Sequence, residues 1–145
     1  MIRLAVRALI LDALGRLLIV NAWPGGVSDL WTAPGGGANL HSSLPDNLAR
    51  EVHEETGLTV SVDAPVLVNE FHDPDGSFHQ VDIYFRCTLL KGEVSPQWRD
   101  PEGVVTERRW VTPDELAALR FKPDTLAKAA WGGAMIYDPL EPIIR

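Results

Sequence analysis

Apolar residues in this chain fall mostly into short alternating or continuous runs of the length that strands need. Arg3 to Leu11 reads as a strand, Asp12 to Arg16 as a turn and Leu17 to Ala22 as the returning strand of a hairpin. Trp23 to Asp29 is a loop by its turn residues, and Trp31 to Pro34 is a short extended piece leading into a glycine loop. Thr59 to Val62 and Val66 to Phe71 are β-rich, interrupted by Asp63-Ala64-Pro65. A strong turn at His72 to Ser77 precedes Val81 to Leu89, which alternates strictly. Val81, Ile83, Phe85, Cys87 and Leu89 make its core face; Asp82, Tyr84, Arg86 and Thr88 line a pocket or meet water. Lys91 to Gly103 is a long polar loop, and Val104 to Val111 returns to strand. Thr112-Pro113-Asp114-Glu115 is a capping box that starts a helix through Leu119. Asp124 to Trp131 predicts a last short helix stopped by Gly132-Gly133, and the tail from Ala134, with Pro139 and Pro142, reads as irregular. The sum is an α+β chain, an α/β/α sandwich with a mixed sheet, expected as one domain over residues 1–145.

One stretch breaks the strand rhythm. Gly35-Gly36-Gly37 leads to Ser43, which with Asp46 resembles a capping box, and Pro45 sits in the first helical turn. Gly57 stands where a left-handed residue would end the helix. At roughly 100° per residue, Glu51, Glu54 and Glu55 occupy one arc of about 100°, and Leu48, Val52 and Thr56 lie beside it. One side of the helix can therefore seat in a core while the next gathers negative charge. Such carboxylates repel unless something positive sits among them. A hard divalent cation fits, since Mg²⁺ takes oxygen ligands and keeps waters for a phosphate. The plain alternative is a solvated acidic face.

The stretch from Gly36 to Leu58 resembles the Nudix box, G-x5-E-x7-R-E-U-x-E-E-x-G-U with U bulky and apolar. Gly36, Arg50, Glu51, Val52, Glu54, Glu55, Gly57 and Leu58 match it, and Ser42 stands in place of the first glutamate. Trp31-Thr32-Ala33-Pro34-Gly35-Gly36 extends the likeness upstream. The resemblance implies the Nudix fold, with the box helix packed on a mixed sheet. It also implies hydrolysis of a nucleoside diphosphate linked to another moiety, assisted by Mg²⁺ or Mn²⁺. By it, Glu51, Glu54, Glu55 and the Gly36 carbonyl are metal ligands, Arg50 orients a box glutamate, and Glu51 and Glu54 join the catalytic set. The base comes from the box or from a later acid: Asp100, Glu102 or Glu107, with Glu102 and Glu107 favoured. Serine at 42 is too short to hold a cation from the glutamate's place, which leaves His41 or Asp46 to compensate. The alternative reading is a nucleotide-binding or regulatory module with weakened turnover. Among the aromatics, Trp23, Trp31, Phe71, Phe78, Tyr84 and Trp98 are available to stack on a base, and Tyr84, Arg86 and Trp31 are the substrate-binding candidates.

Composition narrows the partners. A net charge of −7 argues against duplex nucleic acid and anionic membranes, but not against a phosphate ligand that arrives with cations. No apolar run approaches the roughly 18 residues of a membrane helix. The single cysteine, Cys87, cannot make an internal disulfide and reads as a buried, inert thiol. With no signal-peptide pattern after Met1, the expected setting is cytoplasmic, the partner a small nucleotide (a nucleoside or deoxynucleoside triphosphate, or a nucleotide sugar), and the state monomer or homodimer.

Overall fold

A computed structural model describes residues 1–21 and 28–144. Trp23 and most of the loop expected up to Asp29 lie outside the described residues. The elements run β1 (Arg3–Ile10), β2 (Leu17–Asn21), β3 (Trp31–Thr32), β4 (Gly35–Gly37) and α1 (Leu44–Thr56). They continue with β5 (Thr59–His72), β6 (His79–Lys91), β7 (Glu107–Val111), α2 (Pro113–Ala117), α3 (Leu126–Trp131) and β8 (Ile136–Pro142). A mixed five-stranded sheet has the order β4-β1-β6-β5-β8, with β1–β6 and β5–β8 parallel; a three-stranded sheet has the order β3-β2-β7.

Alternation along the strands builds two cores. Val6, Ala8 and Ile10 of β1 and Phe85 and Cys87 of β6 pack with Leu48 and Val52 of α1. Leu9, Leu67 and Tyr84 look the other way and pack with Leu116 of α2 and Leu126 and Ala129 of α3. The small sheet serves both: Leu17 and Ile19 enter the second core, Leu18 the first. A sheet covered on both faces must bury alternate side chains of both parities, which is why Tyr84 on the second β6 face is only 1% exposed.

Several sequence expectations change. The predicted β1–β2 hairpin opens out, because the strands join different sheets and share only the bridge Leu11–Leu17. The glycine loop is strand β4, paired antiparallel to β1. Asp63 to Pro65 does not break β5; bulges between Val62, Pro65 and Leu67 absorb it, the place where a strand tolerates proline. The strand expected from Val104 starts at Glu107, because the N–H groups of Val104 and Val105 bond the Asp100 carboxylate at 3.1 and 2.9 Å. The tail is not irregular. It pairs with β5 as the sheet's edge, where prolines are allowed, and Asn69 Nδ2 donates to Asp138 at 3.0 Å across the pair. Among the described residues no helix is long and apolar enough to cross a membrane.

Candidate active site

Helix α1 begins at Ser43, whose Oγ accepts the N–H of Asp46, and ends at Gly57 with φ 77°. Only this half of the capping box forms at Ser43; both halves form at Thr112 and Glu115. Leu48, Val52 and Thr56 are fully buried, so the helix is clamped by its apolar stripe and its acidic edge is held at the β4 margin of the sheet. The three carboxylates differ according to their angle from that stripe. Glu55, nearest to it, is 5% exposed; Glu51 and Glu54 are progressively more open.

Glu55 accepts the Gly35 N–H at 2.8 Å. Burial pushes its carboxyl up to about 8; Arg7 and the Gly35 N–H pull it back, while Glu51 and Asp100 push further. Burial also raises Glu51, with Glu54 and Glu102 adding to the rise against Arg50. Glycine at 36 is required by space: a Cβ there would sit 2.9 Å from the Glu51 carboxyl carbon. At Gly35, a Cβ would fall 1.9 Å from the Val6 carbonyl oxygen. The strand thus brings bare backbone against the acids.

Arg50 lies among them, with Nη1 3.2 Å from Glu54 and 3.4 Å from Glu51. Beside Arg50 lies a residue that the sequence reading does not single out. Buried Asn47 turns its Oδ1 to the Asn39 N–H (2.9 Å) and to Arg50 Nη2 (3.5 Å), and its amide to the carbonyls of Ser42 and Ser43. Asn47 falls on the acidic arc, four residues before Glu51, which is the one signal that points to it. His41 and Asp46, the residues expected to compensate for Ser42, are both exposed.

All donors here are oxygens, the set that Mg²⁺ or Mn²⁺ prefers, and the Gly36 backbone is accessible beside them. Among the described residues no three acidic, histidine or cysteine side chains are already gathered as a metal cage, because Glu54 faces Arg50 and Glu55 faces the Gly35 N–H. A cation that keeps several waters does not need a closed cage, so the residues fit the group.

Of the later acids, Asp100 is a loop organiser: its carboxylate takes the N–H groups of Glu102, Val104 and Val105. Exposed Glu102 acts electrostatically on Glu51. Glu107, on β7 opposite Asn21, lines a cavity of about 370 Å³ with Trp31, Arg108 and Arg109. Trp31 is mostly buried in the second core.

A cleft of about 290 Å³ opens on the sheet face opposite α1. Its floor is a relay of side chains: Arg3 donates to Gln80 (2.7 Å), Gln80 to Asp82 (2.6 Å), and Arg7 pairs with Asp82 (3.2 Å). Tyr84 lies on the same floor, and Phe71 and Phe78, with ring centroids 5.7 Å apart, form a wall. Arg7 connects cleft and box, since it also bonds the Ala33 carbonyl and acts on Glu55. Arg86 is not at the cleft. Its guanidinium binds the carbonyls of Ala129, Ala130 and Gly132 and closes the end of α3. Gln80 and Arg7 are passed over in the sequence reading, and Asp82 is left on a face that lines a pocket or meets water, because nothing local marks a polar strand residue as facing a cleft.

Comparison with known proteins agrees with this geometry. The chain is 23% identical over 128 residues to mouse "nucleoside diphosphate-linked moiety X motif 6", covering 88% of this chain and 40% of that protein. It is 32% identical over 103 residues to a "MutT-like protein" of Streptomyces ambofaciens, covering 71% of this chain and 59% of that one. The chain therefore spans about two fifths to three fifths of these curated relatives. Among solved structures, a UDP-X diphosphatase superposes with a TM-score of 0.70 at 20% identity, covering 97% of this chain and 68% of that one. A mutator MutT protein from Bacillus halodurans superposes with a TM-score of 0.73 at 22% identity, covering 93% and 86%. The NUDIX domain model matches residues 1–131, the span that carries β4, α1 and the Glu102 loop, and the chain belongs to the Nudix family of hydrolases.

Proposed function

We propose that this chain hydrolyses a diphosphate linkage in a nucleoside diphosphate joined to a second moiety, with Mg²⁺ or Mn²⁺ as cofactor. The observation that carries the reading is Glu55, a carboxylate buried beside Glu51 and against a strand that leaves no room for a side chain at position 36. Burying like charges together is costly unless a cation compensates them. Glu51, Glu54, Glu55 and the Gly36 carbonyl would hold the metal, with Glu55 foremost. When bound, it supplies the positive charge that screens the diphosphate oxygens and acidifies a water.

This chain's residues do the rest. Arg50 keeps Glu51 and Glu54 oriented through charge-assisted contacts. Glu102, exposed at the mouth beside Glu51, takes the proton of the attacking water as its oxygen bonds to phosphorus and the bridging P–O bond breaks. Glu102 is preferred to Glu107 as base because Glu102, and not Glu107, is among the charges that act on Glu51. Arg3 and Arg7 lead from the β4 margin to the cleft, where the Phe71–Phe78 wall and the Tyr84 floor seat the organic part of the substrate. The family resemblance leaves two substrate classes, a nucleotide sugar and a nucleoside or deoxynucleoside triphosphate, and one fold neighbour is named for a UDP-linked substrate. A product-release screen over both, with and without Mg²⁺, tests the reading. Turnover that requires the metal is expected; binding without product from every member would leave a nucleotide-binding module instead.

A further inference from the structure

The acidic turn of α1 ends on carbonyl groups that the helix cannot satisfy itself, and other parts of the chain reach them. The Trp98 indole N–H donates to the Glu54 carbonyl at 2.8 Å. The Arg108 Nε donates to the Glu55 carbonyl. The two carbonyls belong to the residues whose side chains form the acidic edge. The Trp98 ring also lies on Gly57, where a Cβ would meet it at 2.9 Å, and edge-on to His53 with centroids 5.5 Å apart. Two residues on, Asp100 holds the loop and binds the N–H of Glu102. The loop that carries Glu102 is thereby tied to the last turn of the box helix at its backbone.

We infer that Trp98 and Arg108 are positioning residues for the metal-binding carboxylates: by closing the carbonyls of Glu54 and Glu55 they fix the turn from which these side chains reach, and they hold the Glu102 loop to it. The inference rests on the metal-site reading above. Outer partners that orient a ligand typically change metal affinity by tenfold or more when lost. The structure supplies its own control. The Trp131 indole N–H donates to the Gly15 carbonyl at the same 2.8 Å, away from α1.

The test is Mn²⁺ binding to the full chain, followed by the paramagnetic resonance signal of free Mn²⁺, in Trp98→Phe, Arg108→Lys and Trp131→Phe. Both Trp changes are neutral in charge, and Arg108→Lys keeps its charge while losing the planar donor. Expected is a rise of about tenfold in the Mn²⁺ dissociation constant for Trp98→Phe, a rise in the same direction for Arg108→Lys, and none for Trp131→Phe. Unchanged affinity in Trp98→Phe and Arg108→Lys would overturn the inference, as would an equal loss in Trp131→Phe. Should Trp98→Phe fail to fold, Arg108→Lys decides. Failure of the underlying reading looks different: the unaltered protein would bind no Mn²⁺, or Glu51→Gln would bind it equally well.

Discussion

The two faces of the five-stranded sheet hold different kinds of site. On one, α1 gathers its acids within a single helical turn and a half, next to a glycine strand that directly precedes it in the chain. On the other, the cleft floor joins residues 75 to 77 positions apart, Arg3 to Gln80 and Arg7 to Asp82. The first can be written as a short motif because helix geometry alone brings its groups together. The second exists only once β1 and β6 have paired in parallel register. On the proposed reading, chemistry and substrate choice are carried on opposite sides, with Arg7, which pairs with Asp82 and acts on Glu55, as the contact between them.

That contrast can be broken by experiment, the strongest effect first. Glu55→Gln keeps an acceptor for the Gly35 N–H and removes the buried charge. Hydrolysis should fall by about a thousandfold, the scale of losing one transition-state stabiliser, while thermal melting of the metal-free protein stays level or rises. A melt that collapses would mean that Glu55 is structural. Leu48→Ala, in the fully buried stripe of the same helix, should cost about 2–5 kcal/mol in urea titrations. It should lower the active fraction without changing which nucleotides are accepted. Phe78→Ala, on the cleft wall, should raise KM about tenfold, on the order of 1.4 kcal/mol, with kcat little changed. A fall in kcat alone would place Phe78 with the chemistry and erase the division. The smallest effect belongs to Cys87, on the α1 face of β6. Burial, with Asp63 adding, pushes its thiol up to about 12. An unfolded thiol ionises near pH 8.5, so this contribution to stability is full below that value and is lost as pH rises toward 12. Between pH 8 and about 9.3 the native protein should lose about 1 kcal/mol more than Cys87→Ala, measured by denaturant midpoints.

The same contrast explains what could be read beforehand. The caps at Ser43 and Gly57, the acidic arc and the Thr112 box follow from local rules, and the structure shows them where those rules put them, apart from the missing half of the Ser43 box. The glycine strand, the open β1–β2 pair and the ordered tail are settled by which strand each segment meets, which periodicity does not encode. Arg86 illustrates the limit from the other direction. Alternation gives its strand face, yet its partners are the carbonyls of Ala129, Ala130 and Gly132 at the end of α3, over forty residues away. Asn47 shows a half-legible case: its place on the acidic arc is visible, and its partners at Asn39 and Ser42 are not.

The edge strand β8 has one more consequence. The family match stops at residue 131, yet Glu141, Pro142, Ile143 and Ile144 supply one side of the cleft, and Lys122 is latched to Glu141 at 3.3 Å. One wall of the cleft proposed to seat the substrate thus lies beyond the span that the family model matches. If that cleft seats the substrate, a change of β8 alone would alter which nucleotides are accepted and leave Glu51, Glu54 and Glu55 where they are.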